Sequence, residues 1–351
     1  MKRTVLIAAI VVSAALNVSA SAFAQTEGFY KGKTLQIIVA SGPGAGNDIQ
    51  TRIFARHAAR FLPGNPNIIV ENMAGAGGVR ARNHVYNLVK PDGLTIAQII
   101  RGTELQEAVG DPAVKYKSDR FNWLGNLSTG DAVCVARIDR AGLTLQEAVK
   151  RSAGNPLRNA ESGNTTIGAV AALLIKEFTG INLNVVAGYP GGSAMDLAIE
   201  RGEADMRCGL IWSSAKARHS DWFKQLGAKK PFASVLAQIA DKRIPELGDV
   251  PTLVELAPDP TWRAVAETIT FTYENAYPML APPGMPEPLV KMLRKAFWDT
   301  VQDPQYIAEA KKAGFGDNEP LPGERVQGVV KRILDIPDDA KSRLRKLLGL
   351  Q

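Results

Sequence analysis

Four short stretches carry the residue types that can hold an anion. They are Ser41-Gly42-Pro43-Gly44-Ala45-Gly46-Asn47-Asp48, Ala74-Gly75-Ala76-Gly77-Gly78, Ser162-Gly163-Asn164-Thr165-Thr166 and Gly188-Tyr189-Pro190-Gly191-Gly192-Ser193. Each stands between an apolar run of strand length and a stretch with helical spacing. Glycine or small polar residues at such joins bare backbone N–H groups beside the positive end of a helix dipole, a combination that binds anions. In open parallel sheets these joins lie at the carboxyl ends of the strands, where ligands are held. One such loop is ordinary turn chemistry. Several, in two halves able to face each other, point to a carboxylate held in a cleft.

Two arginines could add side-chain contacts. Arg101 follows the apolar run 94–100 and precedes Gly102-Thr103, so its fork could meet a carboxylate at a strand end; a salt bridge between domains or on the surface is the alternative. Arg207 lies in a strand-like run beside Cys208. Tyr189 and Trp212 could wall a site, although core packing is the commoner fate of such rings.

Other chemistries fit poorly. Gly42-x-Gly44 has Asn47 where a dinucleotide fingerprint needs its third glycine. Gly28-Phe29-Tyr30-Lys31-Gly32-Lys33-Thr34 has one residue too few for a phosphate loop and precedes its strand. His57, His84 and His219 show no metal-ligand spacing, and there is no G-x-S-x-G elbow. No cofactor is implied, and without a nucleophile–base pair or metal cluster turnover is not expected. Arg52, Arg56 and Arg60 recur every four residues, as on one solvated helix face.

The elements that must position these groups follow from the apolar pattern. A strand over 34–40, a helix with Asp48 suited to its N-cap, a strand over 67–71, a helix over 79–89 and a strand over 94–100 make a βαβαβ unit with a parallel sheet. A second set begins with the strand 132–137 and a Thr144/Glu147 capping box. It continues with the strand 157–161, a helix stopping at Gly180, the strand 183–187, another helix and a strand near Met206. The part from Tyr277 to Ala313 is mainly helical and returns to the first half. The fold class is therefore α/β with two similar halves.

The chain begins Met1-Lys2-Arg3, runs through apolar residues 5–16 and reaches Ala22-Phe23-Ala24, the form of a secretory signal cleaved after Ala24. The apolar run is shorter than the roughly 20 residues a membrane helix needs, and no Cys marks a lipid anchor. The formal charge of +7 includes Lys2 and Arg3, and its basic residues are dispersed. That argues against a nucleic-acid partner. Cys134 and Cys208 sit in strand-like runs of an exported chain; a bridge between neighbouring strands and two buried thiols are both open readings.

Six motifs in shared order make the chain resemble the substrate-binding proteins of tripartite tricarboxylate transporters, the Bug family. They are Phe29-Tyr30-Lys31-Gly32-Lys33, residues 42–48, residues 71–78, residues 188–192, Asp249-Val250-Pro251-Thr252 and Leu280-Ala281-Pro282-Pro283-Gly284. The resemblance implies a type II periplasmic-binding fold with a ligand cleft between two domains. It divides the chain into a signal peptide, residues 1–24, a discontinuous first domain, 25–131 with 257–351, and a second domain, 132–256. It implies that the first two glycine loops hold a ligand carboxylate, partly through water, that Asp48 takes part, and that loops 162–166 and 189–193 close over it.

A monomeric periplasmic protein serving inner-membrane transporter subunits is expected; a receptor presenting a carboxylate to a sensor kinase is the alternative. Ala45 in the first loop, Thr165-Thr166, and the segment 202–214 depart from the family's usual pattern, which leaves the ligand open. If export follows the signal, N-terminal sequencing of protein recovered from the periplasm should begin at Gln25 or a close neighbour, and an intact Met1 on that material would refute cleavage.

Overall fold

The computed structural model describes residues 28–224, 231–315 and 319–350; the leader, its cleavage site and Gln25 lie outside the described residues. In chain order the strands are β1 (Thr34–Val39), β2 (Asn67–Asn72), β3 (Thr95–Gln98), β4 (Asn122–Asn126), β5 (Ala132–Arg137), β6 (Leu157–Glu161), β7 (Leu183–Ala187), β8 (Met206–Ile211), β9 (Ala233–Ile239), β10 (Pro278–Ala281) and β11 (Leu321–Pro322). They form two sheets, one in the order β11-β4-β10-β3-β1-β2 and the other β7-β6-β8-β5-β9. The chain builds the first sheet through β4, crosses to the second for β5 to β9, and returns with β10 and β11.

The βαβαβ reading matches the parallel trio β2-β1-β3. Ile37, Ile38 and Val39 are all buried although they point to alternate faces, as a parallel strand covered on both sides requires. β10 enters antiparallel between β3 and β4, and β5 runs antiparallel to both β8 and β9.

Two helices matter most for the site. Gly46–Ala58 starts directly from the first glycine loop, with Ala45 rather than Asp48 at its N-cap. Asp48 is its third residue and accepts from the Gly44 N–H at 2.8 Å, so it ties the loop back onto the helix as the acid of a capping box does. Ile167–Thr179 is capped by Thr166, whose hydroxyl accepts from Ala169 N at 3.3 Å, and ends at Gly180 with φ 73°. Its residues are buried nearly all round because β8 lies on one side and the helices Leu253–Leu256 and Pro260–Phe271 on the other. The Thr144/Glu147 box is half formed: Thr144 accepts from Glu147 N, but the Glu147 carboxylate accepts from Leu143 N at 3.2 Å instead.

The Arg52, Arg56 and Arg60 row is solvated, with side chains 40–54% exposed, and its heads also form a seam of ion pairs. Arg52 bonds Asp48 and Asn72, each at 2.8 Å, while Arg56 pairs with Glu309 and Arg60 with Asp303 around the helix Pro304–Lys312.

In the second sheet, Val133 pairs with Leu210 and Val135 with Arg207, so Cys208 and Gly209 together oppose Cys134. That is a β-bulge, and Gly209 takes the left-handed conformation at φ 79° that bulges favour. A disulfide joins Cys134 to Cys208 at this point, closing a loop with a sequence separation of 74. Cross-linking a loop of that length removes about 4 kcal/mol of unfolded-state entropy on the chain-entropy account. The double variant Cys134→Ser/Cys208→Ser should therefore unfold at a clearly lower urea concentration than the oxidised parent. An unchanged midpoint would mean that the bridge does not constrain the unfolded chain.

Candidate functional site

The carboxyl ends of β1, β3, β6 and β8 converge on one partly open space between the two sheets. Its volume is about 100 Å³, far below the roughly 300–1,000 Å³ of sites for drug-sized ligands, so it suits a small solute. The first sheet contributes Ser41, Ala45, Gly46, Asn47, Ile100 and Arg101. From the second come Glu161, Ser162, Thr166, Gly191, Gly192, Met195, the segment 207–211 and Arg218.

Hydrogen bonds cross directly between the two sides. Gly42 N donates to Pro190 O at 2.8 Å, Ser193 Oγ to Gly44 O at 2.6 Å, and Gln106 Nε2 to Thr165 Oγ1 at 2.8 Å. Thr165 in turn donates to Asp111 at 2.8 Å, and Arg101 Nη2 donates to Gly209 O. The bulge supplies that last acceptor, since Gly209 turns its carbonyl toward the facing sheet.

The electrostatics are those of buried charge. Arg207, 6% exposed, pairs with Asp196 and donates to Gly192 O at 3.2 Å. Asp196 also accepts from His219 Nε2 at 2.9 Å, with Arg218 3.9 Å away. Burial alone would raise the Asp196 carboxyl, but Arg207 and His219 overcome that and hold it at about 2. Glu161 is 3% exposed and bonds Thr166 Oγ1 at 2.8 Å. Burial pushes its carboxyl up to about 7 despite Thr166, Arg207 and Arg101. Arg101 lies over the Tyr273 ring, 4.5 Å from its centroid. Among the described residues, Ser41 Oγ, Arg101 Nε, Glu161 Oε1 and Arg207 Nε are buried without a hydrogen-bond partner.

The residues singled out by sequence separate into three groups. Ser41, Ala45, Gly46, Asn47, Arg101, Ser162, Thr166, Gly191, Gly192 and Arg207 line the cavity. A second group forms the contact between the sides: Gly42, Gly44, Thr165 and Pro190 through the bonds above, and Gly102 against Ile167. Gly163 belongs here too, because the loop 74–78 packs on it and on Thr166. A Cβ on Gly77 would stand 2.6 Å from Thr166 Cγ2, so Gly77 seals the contact and Ala74, Gly75, Ala76 and Gly78 stay outside the lining.

The third group faces elsewhere. Asp48 is taken up by Gly44, Arg52 and Asn72, Thr103 bonds Ile100 O at 3.1 Å, and Asn164 is exposed. Tyr189 packs on the second sheet's core. Trp212 does the same, with Nε1 donating to Glu246 at 2.7 Å and its ring edge-on to Phe223; an indole this large is better covered there than at a small polar cavity. Glu161, Met195, Arg218 and Tyr277 line the cavity and were not singled out. For Glu161 the signal was present: it ends a strand immediately before the loop 162–166.

Two α/β halves closing over a small charged cavity at their strand ends are the architecture of the two-domain periplasmic binding proteins. The family described as tripartite tricarboxylate transporter family receptor matches residues 50–327, and the chain belongs to it. Its fold is similar to that of the periplasmic binding protein BugD, with 22% identity, a TM-score of 0.68, and coverage of 91% of this chain and 98% of that one. MatC from Rhodopseudomonas palustris, described with bound malate, is similar at 21% identity and a TM-score of 0.64, covering 90% and 98%. A further R. palustris protein, described with adipate, gives 18% and 0.68, covering 90% and 97%. No curated protein matches the chain in sequence.

The Asp196 network yields a stability test. Its folded-state pKa lies below the ordinary 3.8, so the stabilisation is present above about pH 4 and is lost as the pH falls toward 2. Asp196→Asn leaves Arg207 buried without its counter-charge, a change that costs about 3–5 kcal/mol. Urea unfolding at neutral pH should show that gap, and the difference from the parent should shrink below about pH 4. A gap independent of pH would show that the ion pair is not its source.

Proposed function

We propose that this chain is a periplasmic solute-binding protein that captures a small organic carboxylate and presents it to inner-membrane transporter subunits. The observation that carries the reading is the cavity itself. It is small, set between two sheets, and approached by Arg101 from one side and Arg207 from the other, together with the backbone of two glycine loops. The family's description as transporter receptors supports binding in place of turnover, and the malate and adipate named for two structural neighbours supply the first ligands to try. Among the described residues no helix is long and apolar enough to cross a membrane.

On this reading residues 25–131 with 257–351 form one lobe and 132–256 the other, and the two rotate about the crossings near Gly130 and Ala257. Asp48 stays behind the loop, since its carboxylate would repel a bound anion; the contacts come from the loop backbone, from Ser41 and from the arginines.

Native mass spectrometry of the protein as purified should show a retained small acid. With that acid, or with malate or adipate, scattering should give a smaller radius of gyration at saturation. Arg101→Ala should bind about 10- to 150-fold more weakly by calorimetry, the equivalent of one charge-assisted hydrogen bond. If carboxylates bind and Arg101→Ala binds as tightly as the parent, Arg101 serves only the contact with Gly209. If no carboxylate binds, the ligand class is wrong.

A further inference from the structure

Glu161 is the group that a carboxylate site leaves unexplained, and a role for it in binding rests on the proposed carboxylate function. It is the last residue of β6, its side chain lines the cavity, and one of its oxygens, Oε1, has no partner in good hydrogen-bond geometry, the Asn159 amide two residues earlier on β6 being its polar neighbour. That oxygen occupies the space a Cβ on Gly168 would take, so the helix Ile167–Thr179 can begin against it only with glycine there. The carboxyl is thus built into the wall by its fit against the helix and by the Thr166 hydroxyl on Oε2. An ionised carboxylate so placed would repel the anion the arginines attract.

The charged and titratable groups around it can be named element by element. Arg207 faces it from β8, Arg101 from the segment after β3, and the Tyr273 phenol from the turn Thr272–Asn275. Asp196 pairs with Arg207 and is also met by His219 and by Arg218, which lines the cavity. Arg101, Arg207 and Arg218 set against Asp196 leave two net positive charges when Glu161 is protonated and one when it is ionised. The first state complements a dianion and the second a monoanion.

We propose that Glu161 is the proton-holding residue of the site, so that the cavity takes up a small dicarboxylate together with one proton, carried on Oε1 and donated to a ligand carboxylate. The proton comes from solvent, and no covalent bond of the ligand changes. Burial already places the Glu161 carboxyl at about 7, and an arriving carboxylate moves it further upward. Binding above neutral pH then draws a proton in, and affinity falls about tenfold for each further pH unit once Glu161 is ionised in the free protein.

Two measurements test this. In the ligand-free protein, the carbon resonance of the Glu161 carboxyl, assigned by its loss in Glu161→Gln, should titrate near neutral pH. A midpoint at about 4, the ordinary range, overturns the proposal without any ligand. With adipate and malate, calorimetry above about pH 7.5 in buffers of different ionisation heat should show uptake approaching about one proton per ligand. Glu161→Gln keeps the shape and a neutral donor, so it should bind with no uptake and a flat pH profile. Binding by the parent without uptake, or uptake that persists in Glu161→Gln and so belongs to another group, overturns it. If neither acid binds, the ligand class fails, and the carboxyl titration still decides between a proton-holding and an ordinary Glu161.

Discussion

A guanidinium removed from water has to be answered by a carboxylate, and the ion pair of Arg207 with Asp196 is the constraint on which the site depends. Arg207 belongs to β8 and Asp196 to the helix Gly192–Glu200, so the pair fixes how that helix meets its sheet. The loop before the helix and the helix's first turn are fixed in turn, and they give Pro190 O to Gly42 and Ser193 Oγ to Gly44. His219, stacked on Trp222 with ring centroids 4.2 Å apart, braces Asp196 from outside. Without a buried pair, Arg207 could not project into a cavity of so little solvent, because an uncompensated buried charge is worth several kcal/mol of instability.

The bulge at Cys208 and Gly209 works alongside that pair. One extra residue in β8 puts Arg207 on one side of the irregularity and turns the Gly209 carbonyl toward Arg101 on the other. The disulfide at the same step holds the two strands where the ladder is interrupted. In a regular ladder the Gly209 carbonyl would be directed along the hydrogen bonds to a neighbouring strand; at the bulge it is free to accept from Arg101.

Most of this fold was legible in the sequence because its parallel strands are continuous apolar runs followed by glycine or small polar loops. β5, β6 and β7 fall where the apolar pattern ends them. β4, Asn122–Asn126, and β9, Ala233–Ile239, were harder to see: the first has asparagine at both ends and a glycine within, and the second leads into no glycine loop. Strand direction was not legible either, since an apolar run reads alike for β6, which is parallel to its neighbours, and β5, which is antiparallel to both of its own. The site was legible as loops and not as contacts. Loop chemistry brought residues 41–47 and 162–166 forward, and of these Ser41, Ala45, Gly46, Asn47, Ser162 and Thr166 line the cavity, but it could not show that loop 74–78 would pack on Gly163 and Thr166. Arg218 gave no local sign, because its place depends on a long-range approach to Asp196 and Ser193.

On the proposed reading, the division of the cavity between the sheets links capture to closure. Arg101 arrives from the first sheet, Arg207 and Arg218 from the second, and bringing them together without an anion opposes like charges in a poorly solvated space, where Coulomb terms are several-fold larger than in water. The direct bonds between Gly42 and Pro190, Gly44 and Ser193, and Arg101 and Gly209 favour the closed form. On the proposed reading an anion offsets the remaining repulsion and is held from both sides, so its differential affinity for the closed form sets how far it can shift the balance. A protonated Glu161 strengthens that bias by leaving the positive charge unopposed until the ligand arrives. Ligand charge, proton and lobe position are then one linked equilibrium, written into β6, β8 and the first glycine loop.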